Sequence, residues 1–167
     1  MTKIKITLSL LALFCLFSFS STDIQNGLLR GDKLNTNLPE LQQAVKQSKG
    51  SFVLINSWAS HNASARMENI RFARLLEKHK KNDRTSKSFC VVSLSFDQYE
   101  SIFTETIKQD ALSSVHNVFV SGGFEAELAK LYNIDRQDFG NFLLDEQGVI
   151  IAKNITAKEL ESILQSN

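Results

Sequence analysis

One loop of the sequence carries side chains that could act as a nucleophile and a base. Residues 56–70 read NSWASHNASARMENI, in which Ser64 follows His61 closely. A serine beside a histidine can attack a carbonyl group when a carboxylate orients the imidazole. The nearest carboxylate in the sequence is Glu68, which should lie a turn or more along the following helix. We therefore interpret His61 as an exposed loop histidine without a catalytic role.

A second candidate nucleophile is the cysteine in the middle of the chain. Of the two cysteines, Cys15 lies in the N-terminal apolar run, so Cys90 has no partner for an intramolecular disulfide once that run is removed. Its neighbours in SFCVVSLSF favour a buried, inert thiol. His79 and His116 have no ligand spacing with each other or with Cys90. The sequence therefore predicts no metal site and no cofactor.

Apolar patterns predict the elements that must position the loop. SFVLINSWAS and SFCVVSLSFD are rich in β-branched and aromatic residues and predict two buried strands. Between them, ASARMENIRFARLLEKHKK predicts an amphipathic helix. The predicted apolar face of this helix consists of Met67, Ile70, Ala73 and Leu76, with Phe72 and Leu75 beside it.

Three further helices and a short strand are predicted around this unit. LPELQQAVKQS has Pro39 in its first turn and precedes the first strand. QYESIFTETIKQDAL and FEAELAKLYNI predict two more helices, separated by a short strand at NVFV. The apolar residues predicted to face the core from these two helices are Ile102, Phe103 and Ile107 in the first, and Leu128 and Leu131 in the second.

The C-terminal part predicts a hairpin and a closing helix. FGNFLLDEQGVIIAKN contains two apolar runs joined by turn residues at positions 145–148. In TAKELESIL, Thr156 and Glu159 have the spacing of a capping box. Strand-helix-strand units followed by a hairpin predict an α/β fold with a central mixed sheet and helices on both faces.

Length and charge limit the functional classes. The 167 residues are 43% hydrophobic and 22% charged, as in one ordinary globular domain. With 19 Lys+Arg against 18 Asp+Glu and no basic stripe, nucleic acid is not a predicted partner.

The N-terminus predicts export. Lys3 and Lys5 precede an apolar run at residues 6–19, so we predict a signal peptide at residues 1–20 and cleavage near Ser21. The run is shorter than the ~20 residues that a membrane-spanning helix needs. The alternative is cleavage before a lipidated Cys15, which the bulky preceding residues disfavour. A polar lead-in at residues 21–37 and one domain at residues 38–167 follow, in a periplasmic or cell-envelope location.

Two motifs in the same order carry a resemblance to a known family. Residues 58–60 read Trp-Ala-Ser and Arg66 follows, as in the Trp-Ala-Ser-x-Cys-x-x-Cys-Arg loop of exported bacterial thiol-disulfide proteins of the TlpA type. LAKLYNIDRQDFGNFLLDEQGVIIAKN is similar to the family's Tyr-x-Val, cis-proline, Phe-Leu-Ile-Asp and Gly-x-Ile segments. The chain from about residue 38 to residue 164 thus resembles the thioredoxin-like fold family, in its TlpA-type and peroxiredoxin-like branch.

The resemblance implies that the redox chemistry of this family is absent. Asn62 and Ala65 stand at the positions of the two cysteines, and Phe139 stands at the position of the cis-proline. Thiol-disulfide exchange needs an attacking thiolate and a second, resolving thiol. A cis bond before a residue other than proline costs about 3 kcal/mol, so we expect Asp138–Phe139 to be trans.

Residues 58–66, which we call the degenerate loop because they lack the two cysteines, could still bind a ligand through backbone N–H groups. If a helix begins near Asn62, its free N–H groups could bind a peptide carbonyl or carboxylate. The alternative is that Asn62 or Ser60 simply caps the helix. The predicted binding residues are Trp58, His61, Asn62, Ala65 and Phe139.

Two functions remain open from the sequence. The first is an exported, redox-inactive protein that binds a peptide or an envelope protein at the degenerate loop. The second is a thiol-disulfide or peroxidase-like enzyme that acts through Cys90 or a partner's thiol. Contact with the membrane is expected only through the signal peptide or, as the alternative, a lipid on Cys15.

Overall fold

The computed structural model describes residues 31–33, 39–47, 51–81 and 88–166. The predicted signal peptide and most of the polar lead-in lie outside these residues, so their predicted bounds stay predictions. No helix in the described ranges has the length and hydropathy required to span a bilayer.

One mixed sheet forms the centre of the fold. The strands are β1 (Phe52–Trp58), β2 (Phe89–Ser95), β3 (His116–Phe119), β4 (Asn141–Leu144) and β5 (Ile150–Lys153). Their spatial order is β3-β2-β1-β4-β5. The first three strands run parallel, β4 is antiparallel to β1, and β4 and β5 pair as an antiparallel hairpin. The predicted mixed sheet and its hairpin are confirmed.

The helices cover both faces of this sheet. They are α1 (Pro39–Gln47), α2 (Ala63–Lys81), α3 (Glu100–Gln109), α4 (Glu127–Tyr132) and α5 (Ala157–Gln165). Helices α2 and α5 pack on one face, where α3 also contributes, whereas α1 and α4 pack on the other. The predicted α/β fold, with a central mixed sheet and helices on both faces, is confirmed.

Alternate residues of β1 supply the two core layers. Leu54 packs with Phe72 of α2 and Leu160 of α5. Its neighbour Ile55 points to the opposite face and belongs to the cluster that contains Leu41 of α1. All of β1 is buried, because successive side chains of a central strand point to opposite, covered faces.

Three predicted core positions are wrong. Met67, Ile102 and Leu131 are among the exposed large apolar side chains, and the exposed fraction of Met67 is 47%. At 3.6 residues per turn, the separation of nine positions between Met67 and Leu76 corresponds to two and a half turns, so these side chains lie on opposite sides of α2. The buried face of α2 consists of Asn69, Phe72, Ala73 and Leu76.

Candidate functional site

Asn62 caps the N-terminus of α2. Its Oδ1 atom accepts a hydrogen bond of 2.9 Å from the backbone N–H of Ala65. One of the N–H groups that lack an intrahelical partner is thereby satisfied. The capping alternative is confirmed for Asn62. The predicted acceptor-binding site loses the N–H of Ala65, because the carboxamide already occupies it.

Ser60 fastens the loop to the end of β2. The Oδ1 atom of Asp97 accepts hydrogen bonds from the backbone N–H of Ser60 at 2.9 Å and from its hydroxyl at 2.6 Å. The Oδ2 atom of Asp97 accepts a hydrogen bond of 2.8 Å from the hydroxyl of Ser95. Asp97 is only 4% exposed, so its oxygens are hydrogen-bonded by these donors rather than by bulk water.

An ion pair holds the first turn of α2 against the end of α3. Arg66 donates from Nε to Oδ2 of Asp110 at 2.9 Å and from Nη2 to Oδ1 at 2.6 Å. This two-pronged geometry is specific to a guanidinium group. The hydrogen bond with Asp110 raises the pKa of Arg66, while desolvation opposes this shift. The loop is therefore held by Asp97 after β2 and by Asp110 at the end of α3.

Trp58 supports the loop from beneath. Its side chain is fully buried. Its Nε1 donates a hydrogen bond of 2.7 Å to Oγ of Ser93, which also accepts one of 2.9 Å from Nδ2 of Asn69. Asn69 in turn accepts a hydrogen bond of 3.2 Å from Asn56. The prediction that Trp58 contacts a ligand is therefore corrected, because its ring is fully buried and cannot touch one.

His61 and Phe139 meet in a ring cluster that the sequence did not predict. The ring centroid of His61 lies 6.2 Å from that of Phe139 and 6.1 Å from that of Phe124. Phe124 also contacts Phe139 at 5.7 Å and stacks on Phe96 at 6.0 Å. The only local signal for this cluster is the Gly-Gly-Phe sequence at residues 122–124. The glycines adopt positive φ angles of 88° and 53° there and turn the chain so that Phe124 points inward.

A groove lies beside the capped end of α2, and we call it the polar groove. It has a volume of about 280 Å³, and Asn62, Ala65 and Phe139 line it together. Three of the five predicted site residues are therefore adjacent. Since no cis peptide bond occurs in the described ranges, Asp138–Phe139 is trans, as predicted. The other lining residues are mostly polar and include Asn56, Ser57, Glu68, Asp138 and Asn141.

Ser57 is the unusual member of the polar groove. Its side chain is 1% exposed, and its Oγ atom has no hydrogen-bond partner among the described residues. A buried polar group without a partner costs about 1–3 kcal/mol. The groove therefore contains a hydroxyl group whose hydrogen bonds are not satisfied by the surrounding protein.

A larger cleft lies on the other side of His61, and we call it the aromatic cleft. It has a volume of about 580 Å³. His61 is the predicted site residue that lines it. The other side chains that line its walls and rim include Phe96, Tyr99, Ile102, Phe124 and Arg136.

The proteins found to be similar to this chain are ones of known structure. No protein-family model matches it, and no curated protein matches it. A thioredoxin-like protein from Parabacteroides distasonis is 34% identical, with a TM-score of 0.71 over 84% of this chain and 97% of that chain. This chain belongs to the thioredoxin-like family.

Other similar structures are thiol-disulfide oxidoreductases. One from Bacteroides fragilis is 31% identical, with a TM-score of 0.58 over 70% of this thioredoxin-like chain and 83% of its own. The thioredoxin domain of another, from Bacteroides vulgatus, is 18% identical and shows the shared fold, with a TM-score of 0.65 over 83% of this chain and 99% of its own. A functional thiol in this thioredoxin-like protein would have to come from outside the degenerate loop.

Cys90 lies far from that loop in this thioredoxin-like protein. It is a partly buried thiol in β2, in register with Val53 near the start of β1. Trp58, at the end of β1, is in register with Ser95. Five residues of a parallel strand span roughly 16 Å, so Cys90 is at the opposite end of the sheet from the loop.

Proposed function

We propose that this thioredoxin-like protein is an exported binding or accessory protein that holds a peptide or envelope protein non-covalently at its degenerate loop. The observation that carries the proposal is the hydrogen bond between Asn62 and Ala65. A carboxamide that caps a helix can neither attack a disulfide nor release one. The geometry of the loop is kept by Asp97 and Asp110 without any thiol.

The polar groove supports a peptide as the ligand. A peptide main chain carries both donors and acceptors, and the hydroxyl of Ser64, an exposed residue that lines the groove, can serve as either. Phe139 adds an apolar wall for a side chain. Glu68 and Asp138 make the groove acidic rather than basic, which favours a neutral or cationic segment over an anionic one.

A catalytic test separates this proposal from the enzyme alternative. The protein and its Cys90→Ser variant are assayed for insulin reduction with dithiothreitol and for peroxide consumption. We expect no rate above background for either protein, because Cys90 lies at the far end of the sheet. Turnover by the protein that disappears in Cys90→Ser would overturn the proposal in favour of a Cys90-dependent enzyme.

A binding test addresses the groove itself. The probe is the S-carboxamidomethylated insulin B chain, an unfolded peptide without thiols, titrated into the protein while its amide NMR spectrum is recorded. We expect shifts at Asn62, Ala65 and Phe139. A probe that does not bind, or that shifts only distant amides, would contradict a peptide site at this loop.

Two serine variants provide a matched comparison. Ser64 and Ser113 are both exposed, but only Ser64 lines the polar groove. Ser64→Ala should weaken probe binding by about two- to tenfold, the effect of one hydrogen bond, whereas Ser113→Ala should leave it unchanged. Equal affinities in the two variants would show that the groove does not hold the peptide.

Export rests on the N-terminal pattern and is tested separately. Cell fractionation followed by mass spectrometry of the purified protein should find it in the envelope fraction, beginning near Ser21. A lipid-modified product that begins at Cys15 would support the alternative processing. An unprocessed chain in the cytoplasm would contradict export.

A further inference from the structure

The aromatic cleft has the size and surface of a ligand site. Its volume of about 580 Å³ is within the ~300–1,000 Å³ typical of small-ligand pockets. Phe96 and Phe124 are stacked in its wall. At its rim, Tyr99 is 57% exposed and Ile102 is 41% exposed. Covering these apolar groups with a ligand side chain would remove them from water, which favours an apolar occupant.

Arg136 brings a positive charge to this apolar surface. Its guanidinium carbon lies 5.2 Å from the centroid of the Phe124 ring. It forms no ion pair within the described ranges, although Asp135 precedes it and Asp138 lies two residues after it in sequence. The carboxylate of Asp135 instead accepts the backbone N–H groups of Gln137 and Asp138 at 2.7 Å. The donors of Arg136 are therefore available to an anionic group, and a carboxylate matches their geometry.

The acidic residues of the cleft limit the charge of the occupant. Both oxygens of Asp97 are engaged by serine donors, and this buried carboxylate cannot turn toward Arg136 without losing them. Glu125 is exposed and also lines the cleft. Its charge repels a ligand with several negative groups. An occupant with a single carboxylate fits the cleft best.

From these observations we propose that the aromatic cleft binds the C-terminal residue of a peptide whose last side chain is large and apolar. Such a residue carries its side chain and its carboxylate on one carbon atom, so it can contact the Phe124 wall and reach Arg136 together. The site is independent of the polar groove, because the ring contact between His61 and Phe139 separates the two.

The test compares one peptide with and without its terminal charge. N-acetyl-Ala-Ala-Phe is titrated into the full chain as the free acid and as the C-terminal amide, and dissociation constants are obtained by calorimetry or NMR. The acid should bind roughly tenfold more tightly, because it forms charged hydrogen bonds with the guanidinium group. Equal affinities of the acid and the amide would overturn carboxylate recognition, and the absence of binding by both would overturn the site.

Variants assign the effect to the cleft. Arg136→Gln should reduce the affinity of the acid to that of the amide and leave the amide unchanged. Arg74→Gln removes an exposed arginine from the middle of α2 and should change neither. Ile102→Ser, at an exposed rim position, should weaken both peptides. An acid that binds Arg136→Gln and Arg74→Gln equally would contradict the role of Arg136.

Two further measurements distinguish the proposed peptide site from a site for small acids and from binding in the polar groove. If 3-phenylpropionate binds as tightly as the peptide acid, the site accepts a free small acid and the peptide assignment is wrong. Ser64→Ala should not affect N-acetyl-Ala-Ala-Phe, since Ser64 lines the polar groove and not the aromatic cleft. A loss of affinity in that variant would place the peptide in the polar groove and contradict the proposal.

Discussion

Asn62 and Ala65 are joined by a hydrogen bond of 2.9 Å from the backbone N–H of Ala65 to the side-chain oxygen of Asn62. By the family resemblance, these are the positions of two cysteines. A contact that would be covalent and redox-sensitive is therefore a helix cap, which is present in oxidising and reducing conditions alike. The consequence is a loop whose geometry does not depend on a redox partner.

Removing this cap should destabilise the protein. Asn62→Ala is expected to lower the free energy of unfolding by about 1 kcal/mol, because the N–H of Ala65 loses its acceptor. Asn62→Asp should retain the cap and remain near the native stability. Urea denaturation monitored by circular dichroism measures both. Ser64→Ala, in the same turn, is the control, and a midpoint of Asn62→Ala equal to that of the control would contradict the capping role.

Restoring the thiols should not restore full activity. Asn62→Cys with Ala65→Cys should form a disulfide, because the two positions are one helical turn apart. We expect poor insulin reduction, since a misplaced reacting group can lose ~100-fold in rate and the cis-proline is absent. Adding Phe139→Pro should raise turnover if the loop accepts a cis bond. Mass spectrometry that shows no disulfide would undermine the alignment, and full activity of the double variant would show that the missing cis-proline does not limit turnover.

The buried serine beneath the loop should be more important for stability than the serine in the groove. Ser93→Ala leaves Nε1 of Trp58 and Nδ2 of Asn69 without their shared acceptor. We expect a loss of about 2 kcal/mol or more in the free energy of unfolding. Ser57→Ala removes a buried hydroxyl that has no partner among the described residues and should be neutral or stabilising. Equal losses in the two variants, measured by chemical denaturation, would contradict this assignment.

The capping box of α5 should make stability depend on pH in the acid range. The backbone N–H of Thr156 is the main cause that lowers the pKa of Glu159, and the hydroxyl of Thr156 adds to it. Because the folded-state pKa is the lower one, the stabilisation is present above the unfolded pKa and is lost as the pH falls through the folded value. Glu159→Gln should be less stable than the native protein above about pH 5, with the difference closing below about pH 4.

A pH titration of the unfolding midpoint tests this expectation. Glu105→Gln is the matched control, because Glu105 is exposed and its one ion pair among the described residues is a loose contact of 3.8 Å with Lys108. Its curve should run parallel to that of the native protein. A stability difference for Glu159→Gln that stays constant from neutral to acidic pH would show that the carboxylate form of Glu159 contributes nothing.

The turn that places Phe124 requires glycine. Gly123 has a φ angle of 53°, and a Cβ atom there would lie 3.0 Å from the carbonyl oxygen of Phe96. Gly123→Ala should cost about 1–2 kcal/mol and weaken peptide binding in the aromatic cleft. Gly148→Ala shares the positive φ but has open space around its Cβ, so it reports backbone strain alone. Thermal unfolding of the two variants should show the larger loss in Gly123→Ala.

Local sequence patterns were sufficient for the helices, the strands and one cap. Residues 63–81 form α2 with the predicted bounds, and Pro39 is the first residue of α1. The capping box between Thr156 and Glu159 is confirmed. These features depend on neighbours within about one helical turn or on alternation along a strand, so the sequence contains their causes.

The site residues show which features of the candidate site the sequence alone does not determine. By itself it determined the fold family, the loop around Asn62 and the loss of its thiols. Only the tertiary structure decided that Trp58 lies beneath the loop, that Phe124 packs against His61, and that the hydroxyl of Ser57 has no partner among the described residues. The physical reason is that each of these facts depends on how β1, β2 and the loop before α4 pack together. Contacts between segments far apart in the chain follow from that packing and leave no periodic signal in the sequence.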